Sequence, residues 1–426
     1  MKKKRLFLLP MLIAGLMGIT SCSLFNDDDL AYTNIYNPPS IIPEPGPDDV
    51  IVGDGVKGNV INNEDLHDVM AFKNVGYATD ETILNSYKSN ELNINNREDY
   101  PGTKSSNNYD LYVPSSASKT SKHTLILFIH GGAWVSGVKT QVNPYIFEFA
   151  NRGYITATVK YTLLRKEMDD KTRSIQRDLD EIDACIKSIK SVLTELEFDT
   201  SKTEFVIGGA SSGAHLAMLY AYSRGNACAL PIKFVVDAVG PVDIKEDCWK
   251  KFGTVTDAVL DAGLDKTAIA TQRSAGNLKE FEMAGMGVNW NEFQTMRIAN
   301  GMCGVYYDEA TVNSAGDSSK THVTNPTAVE KITKVGGGQD QLSVTYWINN
   351  TTNRYPIICA YAGRDSVVGI NQYATLQTQL DLKSITYHYI YFRNSDHQEL
   401  TKEKDETHYN ELINKVAEWC DATTIS

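Results

Sequence analysis

The feature that most constrains this chain is a five-residue turn, Gly209-Ala210-Ser211-Ser212-Gly213. It lies between an apolar run, Phe205-Val206-Ile207, and a helix-like run, Ala214-His215-Leu216-Ala217-Met218-Leu219. A serine on so sharp a strand-to-helix turn needs residues without bulk two places before and after it. Ser211 has Gly209 and Gly213 there, whereas Ser212 would have Ala210 and Ala214, so Ser211 is the serine the turn presents. The turn requires a strand feeding directly into a helix that packs on a sheet, and small Ala214 and Ala217 let that helix approach closely.

The flanking sequence supplies the sheet. Thr124 to Ile129, Tyr154 to Val159, Phe205 to Ile207, Phe234 to Val236, Pro356 to Tyr361 and Tyr387 to Phe392 are short apolar runs of strand length. Between them, Ile175, Leu179, Ile182, Ile186, Ile189 and Leu193 recur at steps of four and three, the spacing of one helix face, and Lys404 to Trp419 closes the chain in the same way. Alternating strands and helices predict an α/β domain, a mostly parallel central sheet with helices on both faces. One block breaks the rhythm: about 243–354 is polar and contains Gly and Asn, with short amphipathic pieces such as Asp257 to Leu264. An insertion of that size is not a simple loop. It reads as a cap over the strand ends, where α/β sheets place ligands, with a surface decoration as the alternative.

Two further patterns belong with the serine. His130-Gly131-Gly132-Ala133-Trp134 follows the strand Leu125 to Ile129. Acyl transfer generates an oxyanion that needs preorganised N–H donors, and glycines let the backbone approach a substrate carbonyl. Gly131 and Gly132 are the expected donors from this loop, with the amide of Ser212 as a third at a helix N-terminus that favours negative charge. His130 opens this motif and is read as shaping the loop. A nucleophilic serine also needs an acid and a base, in the order Ser, Asp or Glu, His. Asp365, in Ala362-Gly363-Arg364-Asp365-Ser366, and His397, in Asn394-Ser395-Asp396-His397-Gln398, both fall just past late strands, on the same sheet edge as Ser211. The histidine would take and return the serine proton while the aspartate fixes its tautomer. Asp396 is a second choice for the acid, and His215, His388 and His408 are competitors placed on a helix, in a strand and on the last helix.

The N-terminus carries a different message. Lys2, Lys3, Lys4 and Arg5 precede an apolar run, Leu6 to Ile19, which is the layout of a secretory signal and too short to span a bilayer. Ile19-Thr20-Ser21-Cys22 resembles a bacterial lipobox, which implies signal residues 1–21 and a lipidated Cys22 holding the protein on a membrane. Losing that signal takes the formal charge from −12 to −16, a surface that repels phosphate backbones and argues against nucleic acid as a partner. Asn26-Asp27-Asp28-Asp29 resembles the acidic tag behind the lipidated cysteine of some Bacteroidota surface lipoproteins, or is a solvated linker. Residues 22–60, rich in Pro38, Pro39, Pro43, Pro45 and Pro47, read as an extended tether, leaving 61–426 for the folded domain. The six other cysteines match no metal-ligand spacing, so no metal is assigned, and their pairing is not readable from sequence.

Tyr109-Asp110-Leu111-Tyr112-Val113-Pro114, the stretch from Leu127 to Gly137, the serine turn through Ala217, Ala362 to Val368 and His397 together resemble the α/β-hydrolase superfamily. More narrowly they resemble its carboxylesterase and lipase-like branch, which includes hormone-sensitive-lipase-like, kynurenine formamidase-like and bacterial feruloyl or acetyl-xylan esterase members. The resemblance covers about 108–243 and 355 onward, and neither the tether nor the insertion. It departs at Ala133, where many members have a third glycine, at Thr162, where many have arginine, and at Ala214, where a glycine is common. It implies a cofactor-free serine esterase acting on a small-molecule or carbohydrate ester, with acetyl or feruloyl groups on polysaccharides as the analogy. A peptidase or amidase of the same fold and an inactive binding module are the alternatives.

Overall fold

The computed structural model describes residues 50–53, 55–77, 107–134, 137–163, 175–244, 250–252, 256–278, 280–282 and 339–425. The chain enters through a short hairpin, β1 (Ile51–Val52) and β2 (Val56–Lys57), followed by β3 (Asn59–Ile61). The stretch read as tether therefore includes strands at its end. Gly53-Asp54-Gly55 is a hairpin signal hidden behind the prolines, Gly53 and Gly55 take positive φ, and Val52 is buried. Residues 1–49, with the signal, Cys22 and the rest of the tether, lie outside the described residues.

β4 (Val69–Gly76), β5 (Asn108–Pro114) and β6 (His123–Ile129) follow, then α1 (Asn143–Asn151), β7 (Ile155–Val159) and α2 (Ile175–Glu195). β8 (Thr203–Ala210) leads straight into α3 (Ser212–Arg224), and β9 (Ile232–Ala238) ends at the insertion. Among the described residues the main sheet runs β13-β12-β9-β8-β6-β7-β5-β4-β3, where β12 (Ile357–Ala362) and β13 (Tyr387–Phe392) flank α7 (Gln372–Leu382). From β7 to β13 all pairs are parallel, and β3, β4 and β5 join antiparallel. The six apolar runs are all strands of this sheet, and the α/β expectation holds. The antiparallel end was not legible as strands.

Period-two alternation sorts the core into two layers. Leu125, Leu127, Ile129, Phe205 and Ile207 point to one face, where Ile182, Ile186 and Ile189 of α2 and Leu216 and Leu219 of α3 cover them. Ile126, Phe128 and Val206 point to the other, against Ile146 and Phe149 of α1 and Leu412, Val416 and Trp419 of α8 (Glu406–Asp421). With both faces covered, the parallel strands present their C-terminal ends along one edge.

The described parts of the insertion reach that edge at Asp257, Leu260 and Asp261. They comprise a ribbon of β10 (Lys250–Phe252) and β11 (Glu280–Glu282), helices α4 (Asp257–Ala262) and α5 (Lys266–Ser274), and α6 (Val344–Asn350) on the return. The Tyr391 hydroxyl donates to the Leu260 carbonyl at 3.0 Å, Arg364 pairs with Asp257 at 3.0 Å, and Arg393 Nε donates to Asp261 at 2.7 Å. Residues 283–338, the bulk of the expected cap, lie outside the described residues. Cys185, Cys228, Cys359 and Cys420 are free thiols.

Candidate active site

The residue at the junction of β8 and α3 is Ser211, with φ 54 and ψ −124. A left-handed φ in a residue bearing a Cβ is strained and holds only where its surroundings fix it. Here the neighbouring glycines permit it. A Cβ on Gly209 would stand 2.4 Å from the Gly213 carbonyl carbon, and one on Gly213 would stand 2.1 Å from the Ile129 oxygen. The turn is therefore clamped against the end of β6, which brings the next loop alongside: a Cβ on Gly131 would lie 3.0 Å from that of Ser211.

The Ser211 Oγ is 2.9 Å from His397 Nε2, and His397 Nδ1 is 2.8 Å from Asp365 Oδ2. The His397 and Asp365 side chains are 9% and 3% exposed, so the chain of bonds is shielded from competing water. Each partner comes from a loop past a different strand, β8, β12 and β13, as the chain order implies. Asp365 Oδ1 accepts from the amides of Val367 (2.8 Å) and Val368 (2.7 Å), which fixes the carboxylate and leaves Oδ2 for the imidazole. Asp396, the second choice for the acid, does something else. Its Oδ1 accepts from the amides of Ser366 and His397, both at 2.7 Å, and its Oδ2 from the Ser366 hydroxyl at 3.0 Å. It fastens the acid loop to the base loop.

Gly131 and the N-terminal residue of α3, Ser212, adjoin Ser211 from two sides, and Gly132 follows in the loop. His130 is buried and stacked on Tyr161, its Nδ1 2.8 Å from the Gly131 carbonyl, so it shapes the loop. Burial pushes its pKa down to about 4, against the bond to Gly131, which leaves it neutral at ordinary pH. His388 reaches Glu411 at 3.4 Å, and His408 pairs with Asp405 at 2.8 Å, so neither approaches the serine.

Several supporting residues were not found from sequence. The far end of the glycine loop is held by Lys139, fully buried, whose ammonium pairs with Asp110 at 3.0 Å and also reaches Asn74 and Asn108. Burial alone would raise the Asp110 carboxyl, but Lys139 and Lys73 together hold it below its ordinary value. Thr162, where many relatives have arginine, donates both its amide and its hydroxyl to buried Glu181 at 2.7 Å, and Arg177 pairs with that carboxylate from α2 at 2.8 Å. Between the serine and acid strands lies Asp237, fully buried, with Oδ2 2.7 Å from the Tyr361 hydroxyl and Oδ1 accepting from the Gly240 amide at 2.8 Å. Burial pushes its pKa up to about 7, partly offset by those two bonds. No local pattern marks Lys139 or Thr162, whose partners Asp110 and Glu181 are remote in sequence.

A doubly covered, mostly parallel sheet with a serine elbow on its central strand and an aspartate and histidine on later strand ends is the architecture of the α/β-hydrolase fold. Residues 109–274 match the BD-FAE family model. The non-reducing polyketide synthase atr1 of Stereocaulon alpinum is 24% identical over 139 residues, which is 32% of this chain and only 6% of that much longer protein. Similar solved structures include a truncated carbohydrate esterase from gut microbiota (15% identity, 84% of this chain, 99% of that one, TM-score 0.48). An inhibited esterase B from Lactobacillus Rhamnosis matches at 15% identity, over 84% and 90% of the two chains, with TM-score 0.47.

Proposed function

We propose that this hydrolase cleaves carboxylic esters through an acyl-enzyme on Ser211. The observation that carries the reading is the continuous chain from the Ser211 Oγ through His397 to Asp365 beside the glycine loop. Ser211 Oγ attacks the ester carbonyl as His397 Nε2 takes its proton, and the developing charge on Nδ1–H is met by Asp365. The oxyanion is received by the amides of Gly131, Gly132 and Ser212. Collapse expels the alcohol with the proton from His397, and a water activated by the same imidazole releases the acid. Acetyl or feruloyl esters of polysaccharides are the proposed substrates, supported by the BD-FAE match and the motifs shared with feruloyl and acetyl-xylan esterases. The lipobox-like Ile19 to Cys22 supports a lipid-anchored protein of the bacterial cell envelope. The test is hydrolysis of p-nitrophenyl esters of increasing chain length, and of acetylated and feruloylated xylan, beside Ser211→Ala. Activity on short esters that vanishes in the variant supports the mechanism, whereas activity surviving in the variant overturns it.

A further inference from the structure

The glycine loop is strained beyond its glycines. After Gly132 at φ 123, Ala133 and Trp134 take φ 52 and 62, two consecutive left-handed residues that carry side chains. Such residues are strained and persist only where the surroundings over-determine them. Ala133 is exposed and gives no hold, but Trp134 is 4% exposed and its ring packs edge-on against that of His215, with centroids 5.2 Å apart.

His215 sits one turn into α3, its amide donating to the Ser211 carbonyl at 3.1 Å, and it is fully buried. Its Nδ1 accepts from the Trp134 indole N–H at 3.2 Å, so the ring proton is on Nε2, which donates to the Leu342 carbonyl at 2.7 Å. Leu342 belongs to the return end of the insertion, just before α6, which docks through the Val344 amide on the Val242 carbonyl at 2.8 Å. One neutral imidazole therefore joins the glycine loop, the nucleophile helix and the insertion.

We propose that His215 is a positioning residue for the hydrolysis: through Trp134 it sets the strained loop whose amides receive the oxyanion. The inference rests on the serine mechanism proposed above. Donors placed for the transition state act on kcat, and a displacement of about 1 Å removes much of their effect.

Two substitutions divide the histidine's bonds. His215→Asn keeps an acceptor near the place of Nδ1 and loses the reach to Leu342, while His215→Gln keeps a donor near the place of Nε2 and loses the acceptor for Trp134. Trp134→Phe removes the indole donor together with part of the packed ring. In the full chain with a short p-nitrophenyl ester, Trp134→Phe and His215→Gln are expected to lower kcat about tenfold or more with KM within about threefold, and His215→Asn to stay within about threefold of the parent. Melting temperatures should fall alike in both His215 variants, since each loses one buried bond, so a merely structural role would not separate their kcat values. If His215→Gln fails to fold, Trp134→Phe carries the test alone. Parent-like kcat in Trp134→Phe, or equal kcat loss in the two His215 variants, overturns the proposal. Ser211→Ala is measured in parallel: activity remaining there overturns the serine mechanism itself, whereas an inert Ser211→Ala beside an unimpaired Trp134→Phe overturns only the role of His215.

Discussion

Replacing Asp365 by asparagine removes one negative charge and no volume, and the bonds around it decide where the new amide group must point. Oδ1 accepts from two backbone amides, at 2.8 and 2.7 Å, and an NH2 group there would face two donors. The asparagine oxygen therefore keeps that place, and its NH2 faces His397 Nδ1 from the position of Oδ2, 2.8 Å away. Nδ1 must then accept, which moves the ring proton to Nε2, where it points at the Ser211 Oγ 2.9 Å off. The imidazole has lost the lone pair that takes the serine proton. An inverted tautomer of this kind lowers kcat by about 10⁴, or roughly 5 kcal/mol of transition-state stabilisation. KM should change little and the melting temperature by only a few degrees, because the loop amides keep their acceptor. Asp396→Asn is the internal comparison. Its oxygen keeps the amides of Ser366 and His397, its NH2 can donate to the Ser366 hydroxyl, and the ring is untouched, so kcat should stay within about tenfold. Initial rates on p-nitrophenyl acetate at neutral pH measure both. An Asp365→Asn enzyme within tenfold of the parent, or an Asp396→Asn enzyme equally impaired, would refute the reasoning.

Two further outcomes follow from the geometry. Gly213→Ala forces a Cβ to within 2.1 Å of the Ile129 oxygen and 2.4 Å of the His130 oxygen, so the elbow must leave the end of β6; a stability loss of about 1–3 kcal/mol in urea denaturation and a kcat loss above about a hundredfold are expected, and parent-like kcat would contradict the clamp. Asp237 has a folded pKa raised to about 7, above its unfolded value, so its contribution to stability is full at low pH and is lost as pH rises from about 4 through 7; Asp237→Asn, which can make the bonds of the neutral acid, should therefore gain about 4 kcal/mol on the parent across that window in denaturation curves, and parallel curves would contradict it.

What was legible in the sequence was whatever is enforced locally. The elbow announces itself because Gly209 and Gly213 answer steric limits within four residues of Ser211, and β6, β8 and β12 because strands buried on both faces are apolar throughout. Asp365 and His397 were reachable because each follows such a strand and the order of the three residues is restricted. The first hairpin is hard to read because five prolines outweigh the three-residue signal Gly53-Asp54-Gly55. β4 and β5 are not legible as strands: they pair with each other across residues 78–106, and pairing partners are not written in local periodicity. The roles of Asp396, Lys139 and His215 depend on partners 29 to 127 residues away, which only the folded chain brings together.

The two ends of the insertion meet at one place. The Ile244 amide donates to the Ser343 hydroxyl and the Val344 amide to the Val242 carbonyl, while Gln372 of α7 receives the amides of Val242 and Asp243. The sheet thus offers a socket with both terminals side by side, and closing the loop between them is accomplished by the core rather than by what lies in between. Length and sequence inside the loop are then free to diverge without disturbing strand register, so related chains can exchange whole segments here as exchangeable fittings over an unchanged catalytic floor.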